Sequence, residues 1–147
     1  MALYYISQLS WGLILNIAGA VRFLFCLRRP HFLYRGAIVT RWKQGHSMGI
    51  GMFIFLGQTD VSDRRPAEEV LTPADRAVLV HEYGHTVQAA YLGPLFTLLI
   101  GLPSVTWAFF PLFVRHRREK HVSYYSVFPE NWANRLGTRV TGEPAPR

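Results

Sequence analysis

Two long segments without charged side chains place the strongest constraint on the fold of this chain. Residues 1–21 and residues 86–114 contain no Asp, Glu, Lys or Arg. About 20 consecutive apolar residues are enough to cross a lipid bilayer as a helix, and both segments reach that length. Only 17% of the 147 residues are charged, whereas an average soluble domain has about 25%. The chain therefore has to place both segments either in a membrane or in a protein interior.

Basic side chains follow both apolar segments. Arg28 and Arg29 come after the first segment, and Arg115, Arg117, Arg118 and Lys120 come after the second. Lys and Arg beside an apolar helix are typical of its cytoplasmic end. We therefore expect an uncleaved N-terminal anchor helix over 3–27 in the inner (cytoplasmic) membrane, in contact with membrane lipid. The alternative is a soluble domain with two unusually apolar buried helices.

Composition excludes several classes of protein. The apolar content of 50% excludes a disordered chain, and the single cysteine, Cys26, excludes a disulfide scaffold and a Cys-rich zinc finger. The formal charge of +7 raises the question of nucleic acid. The basic segments lack an aromatic stacking platform or a groove-reading motif, so we expect no nucleic-acid partner.

The remaining patterns predict a single α+β domain over 1–147, mainly α with a small β-hairpin. Residues 37–42 and 48–56 are rich in β-formers and flank a turn at 43–46, and a polar surface loop follows at 58–66. Membrane-associated helices are expected to pack around one central helix. The predicted elements are an anchor helix over 3–27, a hairpin over 37–56, a central helix over 73–92, a hydrophobic helix or helical hairpin over 94–114, and a short helix over 129–137.

The central helix has the clearest boundaries in the sequence. Thr72 suits the N-cap, Pro73 suits the first helical position, and Asp75 completes a capping-box pattern. Gly93 suits the position just after the helix, with a proline directly beyond it. These signals predict a helix of about 30 Å at 1.5 Å per residue.

This helix contains the sequence His81-Glu82-Tyr83-Gly84-His85, an HExxH motif. Residues four apart lie on one helix face, so His81 and His85 suit joint binding of Zn²⁺. Glu82 would stay off the metal and move protons between a metal-activated water and a leaving group. Apolar neighbours make these ionisable groups costly unless they are paired or functional. The alternative is two buried histidines that hydrogen-bond to neighbouring groups.

A zinc site needs a third protein ligand, and Glu130 is the best candidate. It lies near the start of the short helix predicted over 129–137, about 45 residues after the motif. A carboxylate at that position also interacts well with the helix dipole, which is the simpler alternative. His116 and His121 are the next candidates, although they are equally consistent with simple interfacial residues in the basic segment.

With these residues the sequence resembles the zincin metallopeptidases, and specifically the gluzincin branch, in a small membrane-associated form. The match consists of His81-Glu82-Tyr83-Gly84-His85 followed by Glu130-x-x-x-Asn134. The resemblance implies a minimal zincin-like core, a zinc ion held by His81, His85 and Glu130, and a β-edge beside the motif helix that holds the substrate. In this branch an aspartate four residues after the glutamate orients one histidine. Asn134 stands there and can still accept a hydrogen bond, without the negative charge.

Hydrolysis also needs a group that stabilises the oxyanion. Tyr124, Tyr125 and His121 lie just before the third ligand and are the candidates for this role. The alternative for the tyrosines is anchoring at a membrane interface.

We therefore expect a membrane-bound zinc metallopeptidase that acts on a peptide or protein substrate near the cytoplasmic interface. The main alternative is a non-catalytic subunit of a membrane complex with a structural metal site. A third is a metal-dependent hydrolase of lipids or small amides. A chain this small and apolar is also expected to form an oligomer or to join a larger complex.

Overall fold

The computed structural model describes residues 2–43, 45–57 and 71–146. The polar loop predicted over 58–66 lies outside these residues. The helices are α1 (Ala2–Leu9), α2 (Leu13–Leu24), α3 (Pro73–Leu92), α4 (Leu102–Phe109), α5 (Pro111–Lys120) and α6 (Phe128–Thr141), and the strands are β1 (His31–Tyr34), β2 (Ala37–Trp42), β3 (Met48–Ile50) and β4 (Phe53–Gly57). The predicted α+β class, mainly helical with a small sheet, is confirmed.

The sheet has four strands in the order β1-β2-β4-β3, and this corrects the predicted hairpin over 37–56. Strands β2 and β4 are neighbours but run parallel, with Ile38 opposite Phe53. Two tighter hairpins, β1–β2 and β3–β4, surround this pair. Arg35 and Gly36 both have positive φ in the first turn, as a two-residue hairpin loop of this type requires. After β2 the chain therefore passes to the outer edge of the sheet, where it forms β3, and then turns back to form β4 between β3 and β2.

The predicted continuous helix over 3–27 is wrong, because the chain breaks between α1 and α2. Buried polar side chains on both sides of the break bond to the rest of the fold. Gln8 Nε2 donates to the Thr86 carbonyl at 2.9 Å, and Asn16 Oδ1 accepts from the Met52 amide at 2.7 Å. Trp11 Nε1 donates to the Ala90 carbonyl at 2.8 Å. The N-terminal segment is therefore attached to the same core as the motif helix.

The hydrophobic segment predicted over 94–114 is neither one helix nor a simple hairpin. It consists of a 3₁₀ turn at Gly93–Leu95, a π-helix at Thr97–Gly101, then α4, and finally α5, which continues to Lys120. Pro94, Pro103 and Pro111 each lie in the first turn of one of these helical pieces. A proline is well tolerated there because its missing N–H has no partner in the first turn.

Within the described part of the chain, no individual helix combines the length and the apolarity that a membrane span needs. Judged by length and composition only, one bent pair of helices, Pro73–Leu95 with Thr97–Phe109, meets that requirement, and its axes differ by 119°.

Helix α3 lies between the sheet and α6, and the main core forms on its sheet side. Leu79, Tyr83 and Val87 of α3 pack against Val39 and Ile54 of the sheet. Helix α6 is longer than the predicted 129–137 and ends at Gly142, which has a φ of 76°. This packing fixes which face of α3 meets α6, and that face carries the histidines.

Candidate metal centre

The start of the motif helix is as predicted. Thr72 Oγ1 accepts a hydrogen bond from the Asp75 amide at 3.1 Å, and Asp75 Oδ2 accepts one from the Thr72 amide at 3.1 Å. The helix then runs to Leu92, and Gly93 follows with positive φ. Since the capping box sets where the helix begins, it also sets the rotational positions of His81 and His85 on its surface.

Glu130 joins the two histidines in one buried group. His81 Nε2 lies 3.1 Å and His85 Nε2 lies 3.6 Å from Glu130 Oε2. One ligand atom from each of the three residues falls within 4.8 Å of the others. The Glu130 side chain is 0% exposed. The structure therefore brings together the three residues that the sequence predicts as ligands, although Glu130 comes 45 residues after His85 in the sequence.

The Nδ1 atom of each histidine, on the side of the ring away from Glu130, is hydrogen-bonded to a neutral amide oxygen. Asn134 Oδ1 lies 2.7 Å from His81 Nδ1, and Gln88 Oε1 lies 2.7 Å from His85 Nδ1. An amide oxygen can only accept, so both Nδ1 atoms carry the proton and donate it. The Nε2 atoms of neutral histidines then carry lone pairs that face Glu130. This is the tautomer that a metal-binding imidazole adopts.

The amide groups are themselves oriented by hydrogen bonds from their nitrogen atoms. Asn134 Nδ2 donates to the Pro146 carbonyl at 2.8 Å, and Gln88 Nε2 donates to the Pro129 carbonyl at 3.0 Å. Both amide oxygens are therefore left to face the histidines. The predicted role of Asn134 agrees with this arrangement, whereas Gln88 was not predicted.

The Glu130 carboxylate is buried and, in the described part of the chain, has few donors around it. Neither oxygen makes a hydrogen bond of good geometry to a described residue, although the hydroxyls of Ser104 and Tyr124 lie near the carboxylate. Burial by itself would raise the pKa of Glu130, but hydrogen bonds that His81 and His85 donate when their Nε2 atoms carry a proton outweigh burial and hold the pKa below its usual range. An ionised carboxylate that faces two imidazole lone pairs is strongly unfavourable unless a proton on one Nε2 or a metal cation lies between them.

The separations in this group fit a zinc ion. Zinc bonds of about 2.0–2.1 Å in a tetrahedral arrangement place neighbouring ligand atoms roughly 3.3 Å apart. The observed values of 3.1 and 3.6 Å lie on either side of that distance. Two imidazoles and one carboxylate also form the type of three-ligand set that leaves a fourth position open in catalytic zinc sites.

Glycines on the two helices allow this close approach. A Cβ on Gly84 would overlap the Ala133 carbonyl, and a Cβ on Gly137 would overlap the Val80 carbonyl. Gly137 is therefore a packing position inside α6. The prediction of 129–137 placed the end of the helix at this residue, and that end is wrong. Gly84 lies within the motif. The same five residues therefore supply the two histidine ligands and the space into which the helix that carries Glu130 packs.

Glu82 is buried beside the ligands and faces an open cleft. Its side chain lies against β3, where the backbone of Gly49 forms a hydrogen bond to it. Burial raises the pKa of Glu82, and the nearby Glu130 carboxylate raises it further, while the two histidines act in the opposite direction. Glu82 is not a member of the three-residue ligand group. Its role in proton transfer stays a prediction.

The cleft has a volume of about 830 Å³ and separates the edge of the sheet from the broken apolar helices. Met48 and Gly49 of β3 line one side. Ile100, Val105 and Phe109 line the other side, and His81, Glu82 and His85 lie at its base. Since β3 is at the edge of the sheet, the cleft runs beside a strand edge that has no neighbouring strand among the described residues.

Both tyrosines predicted near the site line the cleft, but the histidines of the basic segment do not. The Tyr125 ring packs edge-on against His81, with centroids 5.0 Å apart. Burial, and then repulsion from Glu130 and Glu82, raises the pKa of Tyr124, so its hydroxyl stays a donor at neutral pH. His116 and His121 are exposed and do not line the cleft, so the structure does not bring either to the site.

Three further residues belong to the site without having been predicted. Gln88 lies three residues after His85 on the same helix, and that spacing was an available signal. Ser104 has a buried hydroxyl that lowers the pKa of Glu130, and it comes from a segment that looks uniformly apolar. Arg117 comes from a segment that looks uniformly basic. Their positions depend on how α4 and α5 fold over the cleft, which the local sequence does not indicate.

Comparison of the chain with family models, with characterised proteins and with solved structures gave no match.

Proposed function

We propose that this protein is a membrane-bound zinc metallopeptidase that hydrolyses peptide bonds with a metal-activated water. The observation that carries the proposal is the convergence of His81 Nε2 and His85 Nε2 on one oxygen of the buried Glu130 carboxylate. The resemblance to gluzincins supports the same ligand set and the same role for Glu82.

When bound, a zinc ion lowers the pKa of a water molecule and polarises the carbonyl of the scissile bond. Glu82 would act as the general base, and burial raises its pKa, which makes the ionised carboxylate a stronger proton acceptor. It would take the proton from the attacking water and deliver it to the leaving nitrogen.

The tyrosines and the strand edge supply the remaining parts of a peptidase site. The hydroxyls of Tyr124 and Tyr125 stay protonated because burial and nearby carboxylates raise their pKa values, so each can donate to an oxyanion. An extended peptide could pair with part of the outer edge of β3, as peptides do at exposed sheet edges. Because the Gly49 backbone already bonds to Glu82, such a peptide would lie next to Glu82.

Exposed apolar side chains support the membrane part of the proposal. Most of the large apolar side chains on the surface lie in two segments, 3–27 and 95–113. Basic residues follow both segments in the sequence. Helical surfaces of this kind are typical of proteins that insert an apolar face into a membrane.

The deciding experiment compares metal content and turnover in the purified full chain. We expect about one zinc per chain by mass spectrometry of the metal, with loss of zinc in His81→Ala and reduced zinc in Glu130→Gln. Glu82→Gln should keep the zinc but lose at least about 100-fold in peptide hydrolysis, as expected when a general base is removed. Glu119→Gln, an exposed carboxylate paired with Arg115, is the matched control and should be fully active.

Two results would contradict the proposal. Absence of zinc from the wild-type chain would remove the metal site altogether. Full zinc occupancy with no difference between wild type and Glu82→Gln would instead indicate a structural metal site in a non-catalytic subunit.

A further inference from the structure

A cationic side chain lies in the cleft close to the metal-ligand group. The Arg117 guanidinium packs over the rings of Trp107 and Tyr124, 5.5 and 5.3 Å from their centroids. Its Nη2 donates to the Ala108 carbonyl at 3.0 Å. Arg117 also lines the cleft, together with Tyr124. These contacts hold the guanidinium in one place instead of leaving it free in solvent.

Arg117 has donors that the described residues do not use. A guanidinium carries five N–H donors, and Arg117 Nε is buried without a hydrogen-bond partner among the described residues. In this part of the chain its partners are one carbonyl and two aromatic rings, none of which is negatively charged. By contrast, Arg115, two residues earlier on the same helix, pairs with Glu119 at 3.4 Å.

Tyr124 connects this cation to the metal-ligand group. One face of its ring contacts the guanidinium, and its hydroxyl interacts with the Glu130 carboxylate. A single tyrosine therefore separates Arg117 from a predicted zinc ligand. Among the described residues that line the cleft, Arg117 is the only Lys or Arg. Any anionic group that enters the cleft next to the ligands would meet this side chain.

We propose that Arg117 is the binding site for a carboxylate of the substrate, an inference that rests on the proposed function for the reaction at the neighbouring zinc. The planar guanidinium can bind a carboxylate through two parallel hydrogen bonds, and Arg117 lines the cleft with its Nε without a partner among the described residues. The substrate would then be a peptide with a carboxylate close to the scissile bond. Apolar side chains beside that bond would pack against Ile100, Val105 and Phe109.

Binding of matched peptides to the full chain tests this site without requiring turnover. The probes are acetyl-Phe-Leu with a free carboxylate, the same peptide as its C-terminal amide, and acetyl-Phe-Glu as an amide, measured by calorimetry. We expect the free acid to bind at least tenfold more tightly than its amide. Tight binding of the Glu peptide as well would assign the site to an acidic side chain, and weak binding would assign it to a chain terminus; both results support a carboxylate site.

Substitutions then show whether Arg117 is responsible. Arg117→Met should bring the ratio of acid to amide affinity close to one. Arg118→Met, the exposed arginine next to it on the same helix, should keep the wild-type ratio. If Arg117→Met does not fold, Arg117→Lys keeps the charge and the stem, and should still lower the ratio at least threefold because it lacks the planar fork.

Metal removal separates this inference from the proposed function. After treatment with a chelator, the Arg117-dependent preference should persist, because the cation belongs to the protein. The inference would be overturned if the preference for the free acid over the amide survived in Arg117→Met or disappeared with the metal. Either result would show that the carboxylate binds at the histidines. A preference that persists while Glu82→Gln changes no activity would retain the carboxylate site and remove the proposed reaction.

Discussion

At the residue scale, the chemistry of the site depends on two neutral amides. Asn134 and Gln88 each accept a hydrogen bond from one histidine Nδ1 at 2.7 Å, and so both Nε2 atoms are left as lone-pair donors. A carboxylate in place of Asn134 would add negative charge and make the imidazole a stronger ligand. The amide orients the ring without that charge.

Removing either amide should weaken zinc binding. We expect Asn134→Leu and Gln88→Leu each to reduce zinc affinity about 10- to 100-fold, because the imidazole loses the bond that fixes its orientation and tautomer. Competition with a chromogenic chelator measures this change. Asn131→Leu, on the same helix as Asn134, is the matched control and should keep wild-type affinity. Equal affinity in all four proteins would show that the amides do not position the ligands.

At the element scale, the site exists because α3 and α6 approach closely. Gly84 of α3 faces the Ala133 backbone, and Gly137 of α6 faces the Val80 backbone. Contact through backbone at two points leaves little freedom for α6 to slide or rotate. Glu130, one turn before Ala133, is thereby held against the histidines.

A methyl group at this crossing should disturb both the fold and the site. We expect Gly84→Ala to lower the free energy of unfolding by about 1–3 kcal/mol, the usual range for overpacking, and to reduce zinc content. Denaturant melts and metal analysis check the two effects. Gly101→Ala is the control, since a Cβ there meets only the Phe96 carbonyl at 3.8 Å, an ordinary contact. A fully stable, zinc-loaded Gly84→Ala protein would contradict the close crossing.

The C-terminal segment is a second element that acts on the site. The Pro146 carbonyl accepts the Asn134 side-chain amide at 2.8 Å, and Tyr34 donates to Glu143 Oε1 at 2.9 Å, which attaches this segment to the sheet. The segment therefore holds the amide whose oxygen faces His81.

Deleting residues 144–147 should weaken zinc binding while leaving the fold intact. The Asn134 amide would lose its acceptor and rotate more freely, and we expect a loss of affinity of about 3- to 10-fold, smaller than for Asn134→Leu. Chelator competition and circular dichroism measure the two properties. Deletion of residue 147 alone is the control and should have no effect. Unchanged affinity in the longer deletion would show that Pro146 does not orient Asn134.

At the scale of the whole molecule, the N-terminal helices have two different faces. Gln8 and Asn16 point inward and are 0% and 5% exposed, whereas Ile14 and Ile17 are 69% and 56% exposed. The inward face bonds to the core, and the outward face is apolar. This division is typical of a helix that lies between a protein and a lipid surface.

Replacing the outward face should reduce membrane binding without unfolding the protein. We expect wild type to float with vesicles, more strongly when they contain anionic lipid, because the chain carries a formal charge of +7. The double substitution Ile14→Gln, Ile17→Gln should lower the bound fraction severalfold. Leu33→Gln, at a position that is 72% exposed on β1, is the control. Equal flotation of both variants would place the lipid-binding face elsewhere.

The parts of the structure that the sequence predicts are those controlled by neighbouring residues. The ends of α3 were predicted from Thr72, Asp75 and Gly93, because capping bonds and a glycine with positive φ act within one turn. The shared face of His81 and His85 follows from helix geometry alone. Glu130 was predicted as a ligand because few acids remained as candidates and because of a family pattern.

Contacts between distant residues decided the rest. The helix break at 10–12 reflects the hydrogen bonds of Gln8 and Asn16 to the core. Strands β2 and β4 pair in parallel because the chain forms β3 at the outer edge of the sheet before it returns as β4. Neither feature has a local signal in the sequence. Arg117 lies in the site because of how α5 is positioned over the cleft, whereas Gln88 bonds to His85 within α3 and α6 only orients its amide. The sequence by itself thus determined one helix and the ligands it carries. The tertiary structure determined what meets that helix, because a hydrogen bond or a close crossing depends on distance in space and not on separation along the chain.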